Sequence, residues 1–217
     1  MRSLSLKTAK LLRRAFFNRD PRIVSRHLLG KLILRKEGRK RLAGRIVEVE
    51  AYLGADDAAA HAAAGRTARN EVVFGPPGHA YVYFIYGVHY CLNISCLPEG
   101  DAGCVLIRAL EPVQGIEEMA EARGLRSREL DFSSVRKLRT IASGPGKLCQ
   151  ALQITRTRDN GKDMLSSSSD LVVMDDGYRA KKIRITRRIG IIKSVALPLR
   201  YLIEGNVFVS QSRTSSS

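Results

Sequence analysis

From Arg45 to Leu53 the chain alternates with period two, the pattern of a strand carrying different chemistry on its two faces. Val47, Val49, Ala51 and Leu53 fall on one face. Ile46, Glu48, Glu50 and Tyr52 fall on the other, so Glu50 and Tyr52 share a surface. Mid-strand among valines, Glu50 admits two readings. It is either a surface carboxylate on a half-exposed face, or a general base in a partly apolar setting, able to take a proton from water.

Further strands follow. His79 to Ser95 is rich in aromatics and β-formers and splits near Tyr86-Gly87-Val88 into two strands. Cys104 to Leu110 places Cys104, Leu106, Arg108 and Leu110 on one face, and 171–210 reads as about three more strands. Arg108 is then the natural partner for Glu50. Helix signals lie between them. Asp20-Pro21 starts a helix over 21–29 that stops at Gly30, Pro112 opens another to about Arg123, and Ser143-Gly144-Pro145-Gly146-Lys147 caps a third through Leu152. Residues 55–69 form a short helix or an ordered loop, 75–78 a turn, 124–140 a basic connection or helix, and 156–170 an exposed loop. The first 17 residues contain no acid and are rich in Arg, Lys and Ser, as in an organellar transit peptide. The preferred reading is a basic amphipathic helix packed on the domain through Leu4, Leu11, Leu12, Phe16 and Phe17. With no repeat and no boundary, the pattern predicts one α+β domain over 1–217, with a basic N-terminal helix to residue 19 and a flexible tail from 211.

Charge narrows the function. Against 21 Asp and Glu stand 37 Lys and Arg, a net charge of +16. Residues 1–45 carry 15 bases and two acids, whereas 46–120 carry three bases and ten acids. Two basic flanks thus bracket an acidic, aromatic centre, as expected of a protein that docks on a polyanion around a pocket of its own chemistry. The sequence has no run of 18 apolar residues, which excludes a membrane-spanning helix. Cys91, Cys96, Cys104 and Cys149 lack metal-site spacing and are too sparse for a disulfide scaffold, so they read as buried reduced thiols.

Five of the seven tyrosines, Tyr52, Tyr81, Tyr83, Tyr86 and Tyr90, fall within 39 residues of the acidic centre. They are either core or a stacking surface for nucleobases, where each base is worth about 1–3 kcal/mol. Tyr86 at a hairpin tip would stand exposed unless it wedges between base pairs. The 143–147 stretch resembles a phosphate loop but is no Walker motif, since Ile141 and Leu148 stand where glycine and a Ser or Thr are needed. It fits single-phosphate binding or plain capping equally. His61 has no partner at metal-ligand spacing and reads as a pocket or core histidine; no metal or cofactor is expected.

Four blocks, RLAGRIVEVEAYLG over 41–54, YVYFIYG over 81–87 running to NIS over 93–95, CVLIRALEP over 104–112 and SGPGKLCQAL over 143–152, together resemble the alkyladenine (3-methyladenine) DNA glycosylase family. The likeness extends from about Phe16 to Val209. It implies a curved, open barrel-like antiparallel sheet with flanking helices and a protruding hairpin. It also implies a monofunctional enzyme that flips alkylated or deaminated purines, such as 3-methyladenine, hypoxanthine or ethenoadenine, out of duplex DNA and hydrolyses the N-glycosidic bond to leave an abasic site. Glu50 matches the general base and Arg108 the arginine that helps hold the attacking water. Tyr52 would stack on one face of the base, with His61 and Tyr83 on the other. Tyr86 matches the wedge, and Asn93 the residue that crowds out guanine. His89 stands where relatives carry an aromatic, and together with Ser143 and Lys147 it is assigned to DNA contact. The resemblance favours a monomer acting on double-stranded DNA, cytoplasmic or with the nucleoid of a bacterial cell. A non-catalytic nucleic-acid-binding protein is the main rival, and a phosphate-binding metabolic enzyme built on 143–147 a second.

Overall fold

The structure, a computed structural model, describes residues 8–125 and 134–211. It has nine strands in one antiparallel sheet: β1 (Lys10–Leu11), β2 (Leu32–Glu37), β3 (Lys40–Tyr52), β4 (Ala80–Ile85), β5 (His89–Ser95), β6 (Cys104–Gln114), β7 (Leu171–Asp175), β8 (Ile183–Thr186) and β9 (Arg200–Ile203). The sheet runs β1-β7-β2-β3-β6-β5-β4 and curls into an open half-barrel, with β8 and β9 branching from β3. β3 is therefore central. Its first half pairs with β2 and its second half with β9, while β6 runs along the other edge.

The helices are α1 (Arg14–Phe17), α2 (Pro21–Leu28), α3 (Ile116–Ala122), α4 (Val135–Ala142), α5 (Pro145–Ala151) and α6 (Arg156–Asp159). In α2 the Asp20 carboxylate accepts the Arg22 N–H at 2.7 Å, Pro21 sets the first turn, and Val24 and Leu28 enter the core. Helices α2 to α5 pack on β3, β5 and β6, where Leu28, Val49, Leu92, Ile107 and Leu148 share one apolar cluster. The four cysteines are free and buried, as expected. No helix among the described residues is long and apolar enough to cross a membrane.

Strict alternation fails at one point in β3, and that point sets the site. Ile46 pairs with Leu110 and Glu48 with Ala109, leaving Val47 over; Val49 then pairs with Ile107, leaving Arg108 over. Two opposed β-bulges follow each other. As a result Ile46 and Val47 both enter the core, as do Ala109 and Leu110, while Glu48, Glu50 and Arg108 stay together on the other face. The expected placement of Ile46 beside Glu48, and of Leu110 beside Arg108, is corrected accordingly.

Other expectations change too. In place of a basic helix to residue 19, Lys10–Leu11 pairs with Met174 and Asp175 of β7, and only Arg14–Phe17 is helical; residues 1–7 lie outside the described residues. Backbone hydrogen bonding to a free strand edge outweighs the amphipathic pattern. Strand β2 was missing from the pattern altogether. Pro112 lies inside β6 at a register shift opposite Gly44, and α3 starts later, after Gly115. Residues 156–170 are not simply an exposed loop, since Asp159 and Met164 are fully buried, Asp159 by its ion pair with Arg35. The tail expected from 211 lies, beyond Gln211 itself, outside the described residues.

Candidate active site

The curled sheet registers one row of residues across five strands. Tyr81 on β4 faces Asn93 on β5, Asn93 faces Leu106 on β6, Leu106 faces Glu50 on β3, and Glu50 faces Arg200 on β9. Two positions to one side of the row Tyr83 pairs with Cys91, and two positions to the other side Tyr52 pairs with Cys104. Over this face opens a cavity of about 440 Å³, within the range of roughly 300–1,000 Å³ usual for small-molecule sites. Tyr52, His61, Tyr83, Asn93 and Arg108 line it, joined by Tyr86 and His89 from the β4–β5 hairpin and by Ile189 to Lys193 from the loop between β8 and β9.

Glu50 is fully buried directly behind that lining. Its Oε1 accepts the Ile189 N–H at 2.8 Å and lies 3.1 Å from Arg108 Nη1, while its Oε2 accepts the Tyr52 hydroxyl at 3.1 Å. Burial pushes its pKa up, against the pull of Arg108, the Ile189 N–H and Tyr52. Oε1 thus holds two partners and Oε2 one, which leaves Oε2 free lone-pair capacity.

Three aromatic rings form the opposite part of the wall. His61 Nδ1 and the Tyr81 hydroxyl are 2.7 Å apart, and the His61 ring stands edge-on to Tyr83 with centroids at 4.5 Å. Burial, and then Arg69, push the His61 pKa down, so the ring is neutral at physiological pH. Asn93 cannot swing freely. Its Nδ2 donates to the Tyr81 carbonyl at 3.2 Å, and the Cys104 thiol donates to its Oδ1 at 3.8 Å.

At the three-residue hairpin tip, between the Ile85–His89 pair, Tyr86 has φ +55° and Gly87 φ +66°, both in the left-handed region. The tyrosine is 76% exposed. A bulky residue both strained and exposed is a marker of function rather than stability.

The 143–147 stretch divides. Ser143 is buried and bridges Ala109, so it serves the fold and does not cap α5, whose N-cap is Gly144. Lys147 is exposed, with its pKa lowered by burial of its stem and by Arg123 and Arg139 nearby. Neither lines the cavity, although Pro145 and Gly146 between them do. Gly146 is required there, because a Cβ would lie 2.9 Å from Cγ of His89.

The sequence model of the Methylpurine-DNA glycosylase family matches residues 15–207, nearly the whole chain. The chain belongs to the methylpurine-DNA glycosylase family. Relatives named as 3-methyladenine DNA glycosylases include one from Koribacter versatilis, 64% identical over 96% of this chain and 97% of its own. Another, from Burkholderia lata, is 44% identical over 92% and 91%. A third, from Methanocella arvoryzae, is 47% identical over 83% and 84%.

In this methylpurine-DNA glycosylase fold, several groups around Glu50 were invisible to sequence pattern. Glu48 Oε1 accepts from Arg108 Nε at 2.9 Å, Arg200 Nε at 2.7 Å and the Ser210 hydroxyl at 2.8 Å, and its Oε2 accepts the Ser210 N–H at 2.6 Å. Arg188 and Asp57 form a fully buried pair beside Tyr52. Alternation did place Glu48 on the face of Glu50. Nothing local announces Arg188, Arg200 or Ser210, which come from the far end of the chain.

Proposed function

We propose that the protein is a monofunctional DNA N-glycosylase of base-excision repair. A damaged purine, rotated out of the duplex, enters the cavity between Tyr52 on one face and His61 and Tyr83 on the other. Glu50 activates a water that displaces the base and leaves an abasic site. The observation that carries this reading is Glu50 itself. It is a buried carboxylate of raised proton affinity, oriented by Arg108 and the Ile189 N–H, with Oε2 free to accept from water, set behind an aromatic-lined cavity of about 440 Å³, ample for a purine.

The chemistry is consistent with these groups. Breaking the bond builds positive charge on the sugar, which a nearby carboxylate stabilises as it takes the water's proton. An alkylated purine already bears positive charge and leaves readily, so no second carboxylic acid is required. The fixed Asn93 amide is placed to crowd an exocyclic amino group and so reject guanine. Tyr86 fills the gap left by the flipped base. Lys147, with Arg123 and Arg139 near it, belongs to a cationic surface suited to phosphates, and the net charge of +16 fits a monomer working along DNA.

The test is an excision assay in EDTA on duplexes carrying hypoxanthine, ethenoadenine or alkylated purines, followed by hot alkali to cut abasic sites. Wild-type protein should release base, with strand cleavage only after alkali, and Glu50→Gln should lose about 10²–10⁴-fold in rate. Tight, salt-sensitive binding by both proteins with no release from any duplex would instead establish a binding module.

A further inference from the structure

Two carboxylates, not one, lie buried at the centre of this sheet, and the proposed reaction uses only Glu50. Glu48 is fully buried and accepts four hydrogen bonds, from Arg108, from Arg200 and from the N–H and hydroxyl of Ser210. Arg108 touches both acids, Nε on Glu48 and Nη1 on Glu50. Its rotamer is therefore set by Glu48 on one side and transmitted to Glu50 on the other. Ser210 in turn is held by Arg200 Nη2 on its carbonyl at 3.2 Å, and Val209 by Arg139 Nη2 on its carbonyl at 2.8 Å. The chain's last described turn is tied to the back of the site.

We propose that Glu48 is a positioning residue, which together with the Val209–Ser210 segment holds Arg108 at the distance from Glu50 that keeps Glu50 a competent base. This rests on the glycosylase reading for the word base, but the coupling itself is a property of the buried cluster. Physically, two guanidinium groups face two carboxylates here. If Glu48 loses its charge, Arg108 is shared by Glu50 alone and Arg200 has no carboxylate partner left. Glu50 then becomes a weaker base held by a stronger clamp. The groups that face Glu50 are Arg108 and Cys91 from the β6 and β5 side, Glu48 and Tyr52 on its own strand, Arg188 from the loop before β9, and Arg200 opposite it on β9. Arg188 is already neutralised by Asp57, so Glu48 is the acid that shares Arg108 with Glu50.

The experiment titrates the carboxyl carbon of Glu50 by NMR in wild type, Glu48→Gln and Ser210→Ala, beside single-turnover excision across pH. The coupling predicts that Glu48→Gln moves the Glu50 titration to lower pH, and the acid limb of the rate profile with it. At neutral pH the rate should fall about 10- to 100-fold, with DNA affinity within twofold of wild type, because Glu48 reaches no solvent. Ser210→Ala, which removes one hydroxyl donor to Glu48, should slow excision less than Glu48→Gln does, with the rate restored in Ser210→Thr. An unmoved Glu50 titration in folded Glu48→Gln overturns the proposal. So does a loss of rate and affinity together with an unchanged acid limb. If Glu48→Gln does not fold, the Ser210→Ala and Ser210→Thr pair decides, and equal rates in both overturn it. A wild type that excises nothing refutes the glycosylase reading while the NMR titration still judges the coupling.

Discussion

Arg188 packs its guanidinium 4.6 Å from the centre of the Tyr52 ring while two of its nitrogens bind Asp57 at 2.5 and 2.8 Å. Tyr52 lines the cavity and Arg188 does not, so the ring expected to stack on a base is backed by a cation with its own buried counter-ion. Arg188→Ala leaves Asp57 buried without its counter-ion, held only by the Leu53 and Ala59 N–H groups, at a cost of about 3–5 kcal/mol measured by urea unfolding. Arg188→Lys should recover only part of this, because an ammonium cannot reproduce the planar two-point grip. Full stability in Arg188→Ala would mean that the pair contributes nothing.

Tyr86→Gly separates strain from function. Glycine removes the left-handed penalty of roughly 1–2 kcal/mol but adds chain entropy of roughly 0.5–1 kcal/mol. Folding stability should therefore change by no more than about 1.5 kcal/mol. Excision should fall about 10- to 100-fold, the worth of one lost stacking ring. A variant with wild-type excision rates would remove the wedge role.

Gly54→Ala should be among the most damaging small substitutions. Gly54 has φ +84°, and an added Cβ would sit 2.0 Å from the Ala102 carbonyl oxygen. Backbone cannot yield as a side chain can, so about 2–5 kcal/mol is expected from strain and overpacking. Thermal unfolding measures it, and a melting temperature equal to wild type would contradict the geometry.

Acid unfolding should report on Asp170. Burial alone would raise its pKa, but Lys162, Arg35 and Arg158 outweigh that and hold it at about 2 against an ordinary 3.8. The unfolded chain binds the proton more readily than the folded one, so the stabilisation is whole above about pH 4 and disappears as pH falls towards 2. Asp170→Asn should flatten the loss of stability in that window and lower stability at pH 7.

Glu50 has the opposite sign. Its folded pKa lies above the ordinary value, chiefly through burial. Its contribution to stability is present at low pH and is lost as pH rises through that pKa, so ionised Glu50 is a load on the fold. Glu50→Gln, inactive by the proposal above, should melt at the same temperature as wild type or higher at pH 7. A clear drop would mean that the carboxylate's bonds to Arg108 and Ile189 outweigh its burial.

The residues that touch the cavity from β3, β4, β5 and β6 were legible because strand alternation and the block resemblance both pointed at them. Glu50, Tyr52, Tyr83 and Asn93 are brought together by simple register, and Arg108 joins them across the bulge. Ile46 and Leu110 were misplaced because a bulge leaves no mark in an otherwise alternating pattern. β2 was hidden because Leu32, Ile33 and Leu34 are all buried, and a strand covered on both faces has no period to detect. Asp57 with Arg188, and Glu48 with Ser210, are pairs separated by 131 and 162 residues, and only the curled tertiary fold brings them together. Ser143 was read as a cap from its neighbours, yet its place is fixed by a bridge to Ala109 that no local motif encodes.

The regular run that follows the paired bulges at Val47 and Arg108 tolerates exchange of letters far better than change of length. Delete Val49, and the residues from Glu50 to Tyr52 turn through half a revolution about the strand, sending Glu50 and Tyr52 into the core and Ala51 into the cavity. A deletion of one residue would thus invert the site while leaving its composition almost untouched. Over evolutionary time the spacing from Glu48 to Tyr52 should be a rigid ruler in the chain, kept fixed while the side chains around it drift.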